Sequence, residues 1–178
     1  MGMHGTVARG AGDGDHHDRR DPSEGSPYCL QPAGQKGGCN RFIGRTKGGM
    51  NSKLHVVTDA KGRPICMYLS AGQASDYIGA AALLSTLPKG GSLLADRGYD
   101  ADWFRNALIA RDIQPCIPSR KNRRVAIPHD TTLYKTRHKI ENMFARLKDW
   151  RRVATRYDRC ADIFMSACAL AAVVMFWL

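Results

Sequence analysis

The sequence lacks the cysteine and hydrophobic patterns of secreted and membrane-spanning proteins. Its six cysteines are scattered, with no pair at the CxxC spacing, and no secretory signal stands at its start. The simplest interpretation is a cytoplasmic protein with reduced thiols. The apolar stretch Ile163–Leu178 has 16 residues, whereas a bilayer requires roughly 20. This stretch therefore predicts a buried terminal helix rather than a membrane anchor.

The first 40 residues lack any periodic apolar pattern. They hold nine of the 18 glycines and three of the eight prolines, so no face of this segment can be buried in a core. The cluster His16-His17-Asp18 could in principle bind a metal ion, but a solvated polar run is the preferred interpretation. We therefore expect a disordered tail over 1–40 and a single folded domain over 41–178.

Acidic residues are scarce relative to basic ones. The chain has 27 Lys and Arg against 16 Asp and Glu, a net charge of +11. The excess is concentrated between Arg120 and Arg159, where thirteen Lys and Arg accompany four acids. Proteins this basic usually bind polyanions, most often nucleic acid, although ribosomal or merely solubilising charge would give the same composition.

The remaining sequence alternates strand and helix patterns. Two strands flank a predicted turn at 59–62, and the apolar segment Ser92–Asp96 ends on a carboxylate. Asp130 is a natural N-cap for a long helix that runs to about Trp150. The predicted order β-β-α-β-α-β-α-α indicates an α/β domain with helices on the faces of a mixed sheet.

The long helix places one acid among basic and aromatic side chains. At 3.6 residues per turn, Tyr134, Arg137, Glu141 and Lys148 fall within an arc of about 60°, beside an apolar stripe that docks the helix. An ordinary solvated face with an Arg137–Glu141 charge pair would look the same.

Asp96 favours a functional interpretation of this helix. A carboxylate at the end of a buried strand is where α/β domains place functional groups. One carboxylate on a strand and another on a helix could bind Mg²⁺ or Mn²⁺, which prefer oxygen ligands. Two such ions can stabilise both the attacking and the leaving oxygen of a phosphodiester. Surrounding cations would contact the DNA backbone without reading its sequence.

These residues resemble the insertion-sequence-five family of bacterial DDE transposases. The spacing Tyr134-(2)-Arg137-(3)-Glu141-(6)-Lys148 reproduces the family's signature, and Ala95–Asp100 resembles its second catalytic block. The resemblance runs from about Ile43 to Leu178. Further segments that share it are Ile43–Gly49, Gly72–Asp76, Ile117–Arg123 and Arg156–Asp158.

The resemblance implies a fold, a reaction and a set of partners. It implies an RNase H-like fold in which Asp96 and Glu141 are the second and third catalytic acids and metal ligands, with two Mg²⁺ or Mn²⁺ ions in the complete enzyme. It implies cleavage at element ends followed by strand transfer into target DNA. We expect a bacterial protein at the nucleoid that contacts DNA and acts as a homo-oligomer or a mixed oligomer with full-length transposase. The expected DNA-binding residues are Tyr134, Arg137, Lys148, Arg151 and Arg152.

The sequence departs from the family in lacking, in the correct frame, the first strand of the sheet and the catalytic aspartate that it carries. That residue should lie on the first strand, a few dozen residues before Gly44, in a block resembling Asp-Ala-Thr. Asp59 falls in a predicted turn, and Asp18 and Asp21 lie in the tail. With suitable synonymous codons, reading the tail from Asp18 one base forward gives Ile-Asp-Ala-Thr-His-Leu-Lys. Out-of-frame translation of residues 1 to about 38 would explain this segment, as would programmed frameshifting or a decayed gene copy.

Three functions remain compatible with the sequence. The first is a transposase catalytic domain that is incomplete in this chain. The second is a non-catalytic DNA-binding remnant that inhibits a full-length transposase. The third is a stand-alone nuclease of the same fold.

Overall fold

The computed structural model describes residues 41–178 and the backbone of residues 6–10. The strands are β1 (Thr6–Gly10), β2 (Gly44–Thr46), β3 (Gly49–Thr58), β4 (Pro64–Ala71), β5 (Ser92–Ala95) and β6 (Gln114–Cys116). The helices are α1 (Asp76–Leu84), α2 (Asp102–Ile109), α3 (Thr131–Lys135), α4 (His138–Asp149), α5 (Arg151–Ala154) and α6 (Ala161–Phe176), with a 3₁₀ turn at Arg97–Tyr99. The predicted mixed α/β class is confirmed.

The strands form one mixed sheet in the order β2-β3-β1-β5-β6, with β4 also paired to β3. The β3–β4 hairpin is antiparallel, and its turn at 59–62 lies where the sequence predicts it. Strand β1 runs parallel to β3 and antiparallel to β5, so that Val7 pairs with both Val57 and Ala95. The predicted strand over 92–96 therefore lies in the interior of the sheet.

The helices cover both faces of the sheet. Because side chains alternate along a strand, β3 sends Leu54 and Val56 to one core and Val57 to the other. The first core is completed by α4, α5 and α6, and Phe164 of α6 is fully buried in it. The second core contains residues of α1 and α2, including Phe104 and Leu108.

The predicted long helix is present as two segments, α3 and α4. Asp130 caps the first as expected, because its Oδ1 accepts hydrogen bonds from the backbone N–H groups of Thr132 (2.8 Å) and Leu133 (2.9 Å). The segments are separated by a turn at Thr136 and Arg137, which both keep right-handed helical backbone angles. The predicted apolar stripe is buried, since Ile140, Phe144 and Leu147 all lie in the core.

Two expectations need correction. The tail over 1–40 was expected to contain no regular structure, yet the backbone of Thr6–Gly10 forms a strand, and the rest of the tail lies outside the described residues. The physical reason is that β3 and β5 both present backbone groups that need partners, which a short Thr-Val segment can supply. Reduced thiols are present at the buried Cys66, Cys116 and Cys168, whereas Cys160 is in a disulfide. Within the described residues, no helix is long and apolar enough to cross a membrane.

Candidate functional site

Asp96 lies directly after the buried strand β5, where the chain turns away from the sheet. Its backbone is extended and precedes the 3₁₀ turn, and its carbonyl accepts a hydrogen bond of 2.8 Å from the Tyr99 N–H. The side chain of Asp96 is 36% exposed. The fold therefore presents this carboxylate at the end of a buried strand, as the sequence predicts.

Glu141 and Asp96 meet at the guanidinium of Arg137. Arg137 Nη1 lies 2.9 Å from Asp96 Oδ1, and Arg137 Nη2 donates a hydrogen bond to Glu141 Oε1. One planar group thus contacts both carboxylates, one on a strand end and one on a helix. The i,i+4 pair expected on an ordinary solvated face is present, but it is extended to a residue 41 positions earlier in the chain. The structure brings together three of the predicted site residues.

A cavity of about 370 Å³ opens beside Asp96 and is also lined by Tyr134 and Asp76. Burial raises the pKa of Tyr134, and the negative charge of Asp96 acts in the same direction, so its phenol stays a hydrogen-bond donor. Asp76 begins α1 and is paired with Lys53 Nζ at 2.9 Å. Asp76 is not among the predicted site residues, although it lies in the segment Gly72–Asp76 that resembles the family and could have indicated it.

A buried polar chain supports the turn that follows Asp96. Tyr99 Oη lies 3.0 Å from His55 Nδ1, and His55 Nε2 lies 2.9 Å from Ser70 Oγ. All three side chains are almost fully buried. Burial raises the pKa of Tyr99 above its usual range, as do the charges of Asp76 and Asp96. Buried polar groups are costly without partners. These hydrogen bonds between Tyr99, His55 and Ser70 therefore fix the position of the turn.

Asp100 anchors the basic loop at 119–124 next to the cavity. Its side chain is fully buried and accepts hydrogen bonds from Arg105 Nε (2.8 Å), Arg123 Nη1 (3.0 Å) and the Arg120 N–H (2.8 Å). Burial alone would raise the pKa of Asp100, but these three donors outweigh it and hold the pKa below its usual value. Arg120 also donates to the Gly98 carbonyl at 2.9 Å. The basic loop could be recognised in the sequence, but its buried anchor could not.

The remaining predicted DNA-binding residues lie outside the cavity. Lys148, Arg151 and Arg152 are exposed, and Lys148 follows Glu141 by seven residues, about 10 Å further along α4. Arg152 is held by Asp158 through two hydrogen bonds of 2.7 and 2.8 Å. Its charge is therefore partly offset within the protein, whereas no ion pair is recorded for Lys148 or Arg151 among the described residues.

Among the other acids considered as a third ligand, Asp59 is the one that the structure describes, and it does not join Asp96 and Glu141. Asp59 lies in the hairpin turn, where it accepts hydrogen bonds from the N–H groups of Lys61 (2.9 Å) and Arg63 (2.8 Å). Asp18 and Asp21, like the His16-His17-Asp18 cluster, lie outside the described residues. Over residues 41–178, no three His, Cys, Asp or Glu side chains are grouped closely enough to hold a metal ion. Strand β1, with the sequence TVARG, contains no acid.

Comparisons with known proteins agree on one kind of relative. The family described as transposase DDE domain matches residues 13–176. A protein of Brucella ovis named as a transposase for insertion sequence element IS6501 is 40% identical over 131 residues, covering 72% of this chain and 99% of that protein. One of Burkholderia cepacia, named for element IS402, is 33% identical over 157 residues, covering 78% and 72%. No solved structure matches the chain.

Proposed function

Because the chain belongs to the transposase DDE domain family, and so to proteins of DNA transposition, we propose that it is a metal-dependent catalytic domain of the insertion-sequence-five type with an RNase H-like fold. The observation that carries the proposal is the contact of Asp96 and Glu141 with one guanidinium. Two carboxylates from distant elements would repel each other unless a cation lay between them. Their convergence is therefore a built feature of the fold rather than a consequence of helical spacing.

The donor set fits a hard divalent cation. Asp96 and Glu141 offer carboxylate oxygens, the ligands that Mg²⁺ and Mn²⁺ prefer, and both are partly exposed to solvent. These two residues would hold the ion. When bound, such an ion stabilises negative charge on the oxygens of a phosphodiester.

The other residues around the cavity would position DNA. Tyr134 retains its proton and can donate a hydrogen bond to a phosphate oxygen. Arg120 is fixed beside the cavity by its contacts with Gly98 and Asp100. Arg137 offsets the repulsion between the two carboxylates and keeps them oriented. Such groups would contact phosphates and would therefore position DNA without selecting its sequence.

We expect Mn²⁺ binding to depend on both Asp96 and Glu141. Replacing either residue by its amide, Asp96→Asn or Glu141→Gln, should weaken the affinity at least about tenfold, because even the outer partners of metal ligands contribute about 10–100-fold. The loss of the free-ion signal in an electron paramagnetic resonance titration measures this affinity. Asp149→Asn removes an exposed carboxylate from the same helix and serves as the matched control. Equal affinity in all four proteins would show that the two acids do not share an ion.

DNA binding should be strongly salt-dependent and should rely on the exposed cations after Glu141. Each phosphate contact contributes about 0.9 to the slope of log K against log salt. The triple variant Lys148→Ala, Arg151→Ala, Arg152→Ala should therefore bind all DNA sequences more weakly and with a flatter slope. Arg152 should contribute least because it is paired with Asp158. The slope is measured by fluorescence anisotropy at several salt concentrations. An unchanged slope in the triple variant would show that these three side chains are solvated and do not contact DNA.

A second function, DNA binding without cleavage, is favoured by one observation. The described residues provide two converging carboxylates rather than three. If the first acid is encoded in another frame, this chain binds DNA and inhibits a complete transposase through shared ends or mixed oligomers. A stand-alone nuclease has no observation in its favour.

A further inference from the structure

A basic groove lies on the flank of α4 opposite the side that carries Glu141. Its volume is about 210 Å³, and it is bounded by the β3–β4 turn, α4 and the end of α6. Four cations line it, namely Lys61, Arg63, Lys139 and Arg146. The groove shares no lining residue with the cavity beside Asp96. The basic stretch of the sequence therefore divides in the structure between two surfaces.

The two surfaces also lie toward different ends of the sheet. Ala8 of β1 pairs with Thr58 on one side and with Leu94 on the other, so these two residues lie at the same height in the sheet. From Thr58 the chain continues into the turn at 59–62. This turn lies toward the beginning of β5, whereas Asp96 follows its end. A ligand in the groove would therefore not occupy the cavity beside Asp96.

Two of the four cations of the groove, Lys139 and Arg146, are held in place by neutral partners. Lys139 Nζ donates to the Ala60 carbonyl at 2.8 Å, and Arg146 Nη2 donates to the Met175 carbonyl at 2.9 Å. A carbonyl orients a cation but leaves its charge uncompensated. Among the ion pairs within residues 41–178, the one that involves a lining cation joins Arg63 to Asp59. The groove thus carries a fixed excess of positive charge.

We propose that this groove binds the phosphodiester backbone of a nucleic acid, as a second DNA-contacting surface separate from the one beside Asp96 and Glu141. The inference rests on the proposed function in that the chain is taken to act on DNA. Lys and Arg contact phosphates without reading bases, and the groove offers four of them against one acid. A chain with two such surfaces can hold two DNA segments at once.

The test removes two charges from the groove and compares the result with the same change elsewhere. The groove variant is Lys61→Gln with Lys139→Gln, and the control variant is Lys47→Gln with Lys89→Gln, two exposed lysines outside the groove. The probe is a short fluorescein-labelled DNA duplex titrated at several salt concentrations. Two lost phosphate contacts should flatten the slope of log K against log salt by about 1.8, and the control should change it by less than half as much.

A second variant distinguishes the loss of phosphate contacts from a folding defect. Lys139 is tethered to Ala60, so thermal melting must show that the groove variant folds. The single variant Lys61→Gln, in which no side-chain contact is lost among those the structure records, should flatten the slope by about 0.9 on its own.

Four results would overturn the proposal. An unchanged slope in both groove variants, or an equal change in the control, would show that the groove contacts no phosphate; if wild-type binding is retained, the proposed function survives this outcome. Binding of poly-glutamate that is lost in the groove variant, with an unchanged DNA slope, would assign the groove to an acidic protein. A wild-type chain that binds no DNA would overturn both the groove and the proposed function.

Discussion

Replacing Asp100 by Ala should lower the free energy of unfolding by about 3–5 kcal/mol, because it leaves a buried arginine without its counter-ion. Arg105 is almost fully buried, and its Nε lies 2.8 Å from Asp100 Oδ1. The substitution also removes the acceptor of the Arg120 N–H and one of the two carboxylates that Arg123 contacts. Chemical denaturation of the wild type and the variant measures the difference.

Asp102 provides a matched control for this prediction. It also pairs with Arg123, but its side chain is 76% exposed. Exposed ion pairs contribute little to stability, so Asp102→Ala should cost far less than Asp100→Ala. Comparable losses in the two variants would contradict the role assigned to the buried network.

The pH dependence of stability provides an independent check on Asp100. Its pKa is lower in the folded protein than its ordinary value of 3.8, so near that pH the folded state binds fewer protons than the unfolded state. The stabilisation is therefore fully present above about pH 5 and is lost as the pH falls through the folded-state pKa. Asp100→Ala should lose this part of the acid dependence. If the stability of the variant falls with decreasing pH in the same way as that of the wild type, the acid dependence arises from other carboxylates.

The local features of the fold could be predicted from the sequence because they depend on neighbouring residues. Asp130 precedes an apolar helical pattern and caps α3, and Asp59 lies in the turn between two strands. The alternating apolar residues of β3 face two cores. In each case a rule about spacing or turn chemistry applies within a few residues, and the structure follows it.

The unpredicted features depend on contacts between distant residues. Arg120 contacts Asp100 across 20 positions and Lys53 contacts Asp76 across 23, and no periodicity encodes such pairs. Strand β1 was missed because its five residues are too few to show a pattern and are ordered by pairing with β3 and β5. The predicted contact of Arg152 with DNA did not anticipate its pairing with Asp158.

The residues of the candidate site could be predicted from the sequence, but their positions relative to one another are known only from the structure. Asp96 and Glu141 were identified by their places on a strand and a helix, but their common contact with Arg137 depends on how α4 packs against the sheet. Asp76 reaches the same cavity from α1. The position of Asp76 at this cavity depends on the packing of α1 and could not be predicted from the sequence.

The largest change in activity is expected when the first 38 residues are replaced. We predict that the chain binds DNA without cleaving it, because Asp96 and Glu141 converge without a third ligand among the described residues. Replacing residues 1–38 by a segment that carries the Asp-Ala-Thr block, which suitable synonymous codons would give in the shifted frame, should restore cleavage. Phosphoryl transfer depends on the positions of the metal ions, so a missing ligand should reduce the rate to background.

The most direct test of the account measures strand cleavage with Mg²⁺ or Mn²⁺ on a DNA that carries the element's ends. Four proteins are compared: the unmodified chain, the chain with its first 38 residues replaced, and the latter with either Asp96→Asn or Glu141→Gln. The account predicts cleavage by the second protein alone. Cleavage by the unmodified chain would show that another residue supplies the third ligand. Cleavage that survives both Asp96→Asn and Glu141→Gln would contradict the assignment of the catalytic site.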